Sequence, residues 1–86
     1  GQFMIRVRGD GILPYLEQLR AAIKKQPGIS GLKTTEMTMD DASLAVEYKG
    51  TAQELANHLL MQSFDDFGIN IVDIAEDALG IEIIPR

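Results

Sequence analysis

The chain has 86 residues, 45% of them hydrophobic, which allows one domain with one core and excludes both a disordered chain and a second domain. It contains no cysteine, so a disulfide framework and a thiolate metal site are both excluded. The net charge of −5 is unevenly spread: residues 1–50 carry seven basic and six acidic side chains, residues 51–86 one basic and seven acidic. That balance is poor for general nucleic-acid binding, which draws on Lys and Arg against phosphates.

Phe3 to Arg8 alternates apolar and polar residues, the period of a strand, with Phe3, Ile5 and Val7 on the core side and Met4, Arg6 and Arg8 on the other. Gly9-Asp10-Gly11 breaks it, and Asp10 is expected to cap the next helix. Pro14 is tolerated in that helix's first turn. Ile12, Leu16, Leu19 and Ile23 recur on one helical face, and Lys24 and Lys25 suit the C-terminal end of the dipole. Pro27-Gly28 ends this helix. Leu32 to Met39 is a strand with diluted alternation, hence one expected at a sheet edge.

Asp40-Asp41 turns the chain into a hairpin, and in the following strand, Ala42 to Lys49, Leu44, Val46 and Tyr48 share a face. Thr51-Ala52-Gln53-Glu54 is a capping box. Ala52, Leu55, Ala56 and Leu59 form the buried stripe of a second helix, expected to end near Ser63. Phe64 and Phe67 anchor a corner. Ile69 to Ile74 is a β-branched run and the firmest strand signal in the chain. After a turn at residues 75–78, Leu79 to Ile84 reads as an additional strand antiparallel to it, stopped by Pro85.

No residues assemble into a catalytic set. His58 is the lone histidine, placed on or beside the exposed helix face, with no second ligand at metal spacing. Asp40-Asp41, Asp65-Asp66 and Glu76-Asp77 lack the alternating oxygens of a calcium loop and are explained as turn residues. Gly9-Asp10-Gly11 lacks the remaining parts of a dinucleotide or phosphate loop. Ser30, Ser43 and Ser63 have neither an elbow motif nor a base to activate them. No metal, cofactor or catalytic residue is expected.

Strand, helix, strand, strand, helix, strand is the order of a two-layer α+β sandwich, the ferredoxin-like βαββαβ arrangement, here with an extra C-terminal strand. That fold hosts many unrelated functions. Its helix-free sheet face would gather Met4, Arg6, Arg8, Ala45, Lys49, Val72 and Ile74, with Ile84 as a further candidate. Mixed apolar and basic surface of this kind suits a protein partner or self-association. Without an aromatic pair for base stacking, it does not suit RNA. A bulge at Val72-Asp73 or a one-residue slip would exchange the faces there.

Pro27-Gly28-Ile29-Ser30-Gly31-Leu32, then Ala42 to Gly50, then the segment from Val46 through Gly50-Thr51 to Leu55-Ala56 and Leu59, resemble small ferredoxin-like modules. Those modules occur in bacterial envelope, flagellar-assembly and secretion-apparatus proteins. The likeness spans roughly residues 3–75 and rests mainly on turn and core positions. It implies a non-catalytic assembly or adaptor module with no catalytic residues to transfer. The partner mode would be burial of the open sheet face or strand addition at an edge.

The alternative is a small-molecule regulatory domain of the ACT-like kind, with a ligand at the Gly9–Pro14 junction. No apolar run reaches the ~18 residues of a membrane span, so direct membrane insertion is not expected. The Gly1-Gln2 start suggests a piece cut from a longer protein.

Overall fold

Five strands and two helices alternate in the order β1 (Gln2–Arg8), α1 (Leu13–Lys24), β2 (Ile29–Met37), β3 (Asp41–Tyr48), α2 (Ala52–Leu60), β4 (Phe67–Ile74), β5 (Ala78–Pro85). The computed structural model describes residues 1–86. The strands make one sheet in the order β2-β3-β1-β5-β4. Neighbours are antiparallel except β1 and β5, which run parallel. This is a small α+β fold, with both helices on one face of the sheet.

The core follows the periodicities of the chain. Phe3, Ile5 and Val7 of β1, Leu44, Val46 and Tyr48 of β3, and Leu79, Ile81 and Ile83 of β5 are all buried beneath the helices. The helices return Leu16, Leu19 and Ile23 from α1 and Ala52, Leu55, Ala56 and Leu59 from α2. These belong to one cluster of 19 buried residues.

Hydrophobic burial on this face is the main stabilising term, and it leaves the opposite face to water, as antiparallel sheets commonly do. Three aromatic contacts, in two groups, close the ends of the core. Phe3 meets Tyr48 edge-on at 6.1 Å. Phe67 stacks on Phe64 at 4.3 Å and also meets Tyr15 of α1 at 5.2 Å.

The additional C-terminal strand is antiparallel to β4, as expected, but it is no appendage. β5 lies between β1 and β4, so the strand that follows α2 is displaced to the edge. The interior position fits its sequence, because Leu79, Ile81 and Ile83 are almost fully buried and alternate with Ala78, Gly80 and Glu82.

Helix starts differ between the two halves. At α2 the capping box forms as expected: Thr51 Oγ1 accepts from the Glu54 N–H, and Glu54 Oε1 accepts from the Thr51 N–H, each at 3.1 Å. Replacing Thr51 by alanine should cost about 1 kcal/mol and lower the melting temperature by roughly 4–8 °C. A thermal melt indistinguishable from wild type would show that the box adds nothing.

At α1 the expected Asp10 cap does not form. The N-cap is Ile12, with no side-chain cap bond. Pro14 has no N–H to cap, and the Tyr15 N–H donates to the Ile12 carbonyl at 2.9 Å. The residues leading into the helix are tied to the β2–β3 hairpin. Gly9 N–H donates to the Asp40 carbonyl (3.1 Å), Gly11 N–H to Asp40 Oδ1 (3.0 Å) and Ile12 N–H to the Met39 carbonyl (2.8 Å).

Candidate interaction surface

Register places the outward residues of neighbouring strands in rows across the helix-free face. One row runs Glu36, Ser43, Arg6, Gly80, Asp73 from β2 to β4. The next runs Asp41, Arg8, Glu82, Asn70 from β3 to β4. On the other side of Arg6 lie Lys33, Ala45, Met4 and Ala78. Gly80, between Arg6 and Asp73 in this row, offers no side chain, and Val72 and Asp73 lean over it from β4. A shallow groove of about 570 Å³ lies on this face, with Arg6, Arg8, Glu36, Asp41, Asp73 and Gly80 in its lining.

Electrostatics decides what this groove can hold. Neither Arg6 nor Arg8 makes an ion pair within 4.0 Å; the two that occur are Gly1 with Glu47 and Arg20 with Glu17. Yet Arg8 is register neighbour to a carboxylate on each side, Asp41 and Glu82. Arg6 shares the groove with Glu36, Asp41 and Asp73. An incoming anion therefore meets carboxylates as well as arginines. The pattern is a charge-balanced, solvated face.

The residues expected on this face divide. Met4, Arg6, Arg8, Ala45 and Val72 are on it. Val72 sits in a bulge, because register shifts between Ile71 and Asp73. A Cβ on Gly80 would lie 3.1 Å from Val72 Cγ2 and 3.2 Å from Asp73 Cβ, so the bulged pair packs over the glycine. Beyond the bulge Ile74 pairs with the buried Leu79, which puts it on the helix side. Lys49 lies past the end of β3, six residues or roughly 20 Å along the strand from the Arg6 partner Ser43. Ile84, opposite Gly68, is on the open face at the far end of β5.

The Gly9–Pro14 junction is tied to the β2–β3 hairpin. Its Gly9, Gly11 and Ile12 N–H groups are taken by the hairpin, as described above. His58 is exposed on α2. No group of three or more His, Cys, Asp or Glu side chains is placed to hold a metal ion. No helix is long and apolar enough to cross a membrane. The Tyr48 phenol is pushed above its ordinary pKa by burial and, secondarily, by the Glu54 carboxylate. It is a core group wedged between glycines: a Cβ on Gly28 would come within 3.1 Å of its ring and one on Gly50 within 2.6 Å.

The sheet also has two unpaired edges, β2 and β4. β2 is irregular, with register shifts at Ile29/Gly31 and Thr34/Glu36, and it carries Lys33; such features discourage pairing with another chain. β4 differs. From Phe67 to Ile71 it is in unbroken register with β5, and its sequence Phe-Gly-Ile-Asn-Ile-Val-Asp-Ile has no Lys and no Pro.

The Arg86 N–H donates to the Asp66 carbonyl at 3.0 Å, which sets the alternation. Gly68 and Asn70 then bond toward β5, while the main-chain groups of Phe67, Ile69 and Ile71 point outward. Periodicity alone did not single out this edge, because it marks the face of a strand and not its place in the sheet. The missing Lys and Pro were the available signal.

No family model matches the chain, and no curated protein or solved structure matches it.

Proposed function

We propose that this domain is a non-catalytic interaction module that takes up an extended partner segment by strand addition at the β4 edge. In fold terms it is a ferredoxin-like variant in which β5 has been slotted between the first strand and β4. The observation that carries the reading is the regular, unprotected edge from Phe67 to Ile71, whose outward main-chain groups have no partner strand. The likeness to bacterial assembly modules supports the same class of role. Burial of the open face around Arg6 and Arg8 is the second mode. It has less behind it, since those arginines lie among carboxylates.

A matched pair of variants separates the two modes. Ile69→Pro and Ile69→Ala both remove a half-buried side chain, but only proline removes the outward N–H. With extended peptides as ligands and the amides of Ile69 and Ile71 followed by NMR, Ile69→Ala should still bind. Ile69→Pro should lose about tenfold or more in affinity, equivalent to ~1.4 kcal/mol. Arg6→Glu with Arg8→Glu should leave binding unchanged. Binding that survives the proline and vanishes with the arginines would transfer the role to the sheet face.

A further inference from the structure

The β4 edge has a charge pattern at its two ends that the strand itself does not need. Asp65 and Asp66 immediately precede it; Asp73 lies in its bulge, and Glu76 and Asp77 lie in the turn that follows. All five are exposed, and none forms a salt bridge. Arg86 is the single basic side chain in residues 51–86, and its guanidinium lies over Gly68. Between the acidic ends, Ile69 and Ile71 are half-buried against the core on the helix side, while Asn70 is exposed on the open face.

We infer that the segment received by β4 is basic at both ends and alternates apolar and polar residues between them, and that it comes from another protein and not from a second copy of this chain. This rests on the strand-addition reading and deepens it by naming the partner's chemistry. A strand laid along β4 would set alternate side chains beside Ile69 and Ile71, where apolar groups gain contact, and the others beside Asn70, where polar ones do. Its ends would fall near Asp65-Asp66 and near Asp73 and Glu76, where Lys or Arg is attracted and Asp or Glu repelled. Asp77 lies inward, its carbonyl accepting from the Met4 N–H of β1. Two copies joined edge to edge would bring both acidic sets together. Like-charge juxtaposition of that kind opposes association.

The test uses the 86-residue chain and three blocked peptides that share an alternating valine–threonine centre and differ only in paired end residues: lysine, glutamine or glutamate. Affinities are measured by fluorescence anisotropy at low and high salt, with Ile69→Pro as the edge control and sedimentation for self-association. The lysine peptide should bind about tenfold or more tighter than the glutamate one, and the gap should shrink as salt screens it. Asp65→Lys with Asp66→Lys should narrow the gap, because it reverses one end.

Equal binding by all three peptides, abolished by the proline, would overturn the basic-partner inference while leaving strand addition standing. No binding by any peptide would overturn both. A dimer that Ile69→Pro dissolves would overturn the exclusion of a second copy.

Discussion

Gly9→Ala is expected to destabilise the domain by about 3 kcal/mol and to lower its melting temperature by roughly 15 °C. A Cβ at this position would stand 2.5 Å from the Ile83 carbonyl oxygen and 3.2 Å from Ile12 Cγ2. Main-chain atoms cannot rotate away as the tip of a flexible side chain can. Relief must therefore come from moving β5 or the β1–α1 turn. That turn is itself pinned by the bonds from Gly9, Gly11 and Ile12 to the β2–β3 hairpin.

Gly11 is the internal comparison. It has φ of +70° but nothing within 4 Å of an added Cβ, so Gly11→Ala should cost only the left-handed strain, about 1 kcal/mol. Urea unfolding of both variants decides the matter. If Gly9→Ala is no worse than Gly11→Ala, the close approach of the turn to β5 is not a constraint on the fold.

Much of this architecture was legible in the residues, and the parts that were not share a physical cause. Apolar alternation reports which side of a strand is buried, so Ile5, Leu44 and the Leu16–Leu19–Ile23 stripe could be assigned to the core. The Thr51–Glu54 capping box is local, and it was readable for the same reason. Alternation does not say which strand lies beside which. The insertion of β5 next to β1, and with it the exposure of β4, was therefore hidden.

Asp10 does not cap α1 because the helix starts only at Leu13, with Ile12 in the N-cap position, Pro14 without an N–H and the Tyr15 N–H bonded to the Ile12 carbonyl. The assignment of Ile74 to the open face failed at the Val72 bulge, where one extra residue opposite Gly80 exchanges the two sides. Placing Lys49 on the open face extends the β3 alternation one residue beyond Tyr48, where the strand ends. The acidity of residues 51–86 was plain from the start. Its concentration at the two ends of one unpaired strand needed the fold.

Phe67→Ala should be among the most damaging single changes, costing about 3–5 kcal/mol. A domain of this length has a total stability on the order of 4–13 kcal/mol, so much of the protein would be unfolded near its growth temperature if the wild type lies at the low end. The cost arises from position as well as size. Phe67 is fully buried. It stacks on Phe64 with planes 21° apart and also meets Tyr15, so one ring joins α1, the α2–β4 loop and the first residue of β4.

Leucine in its place keeps much of the volume and should cost about 1 kcal/mol. Amide exchange gives the sharper readout. Gly68 and Asn70, which bond toward β5, should lose protection in Phe67→Leu, while Ile5 and Leu44 in the middle of the sheet keep theirs. Uniform loss across all strands would mean that β4 is not anchored separately by the aromatic corner. Selective loss should be accompanied by weaker peptide binding even though no outward N–H is altered. A strand can template another only while its own register is held, and Phe67 is the residue that holds the start of β4.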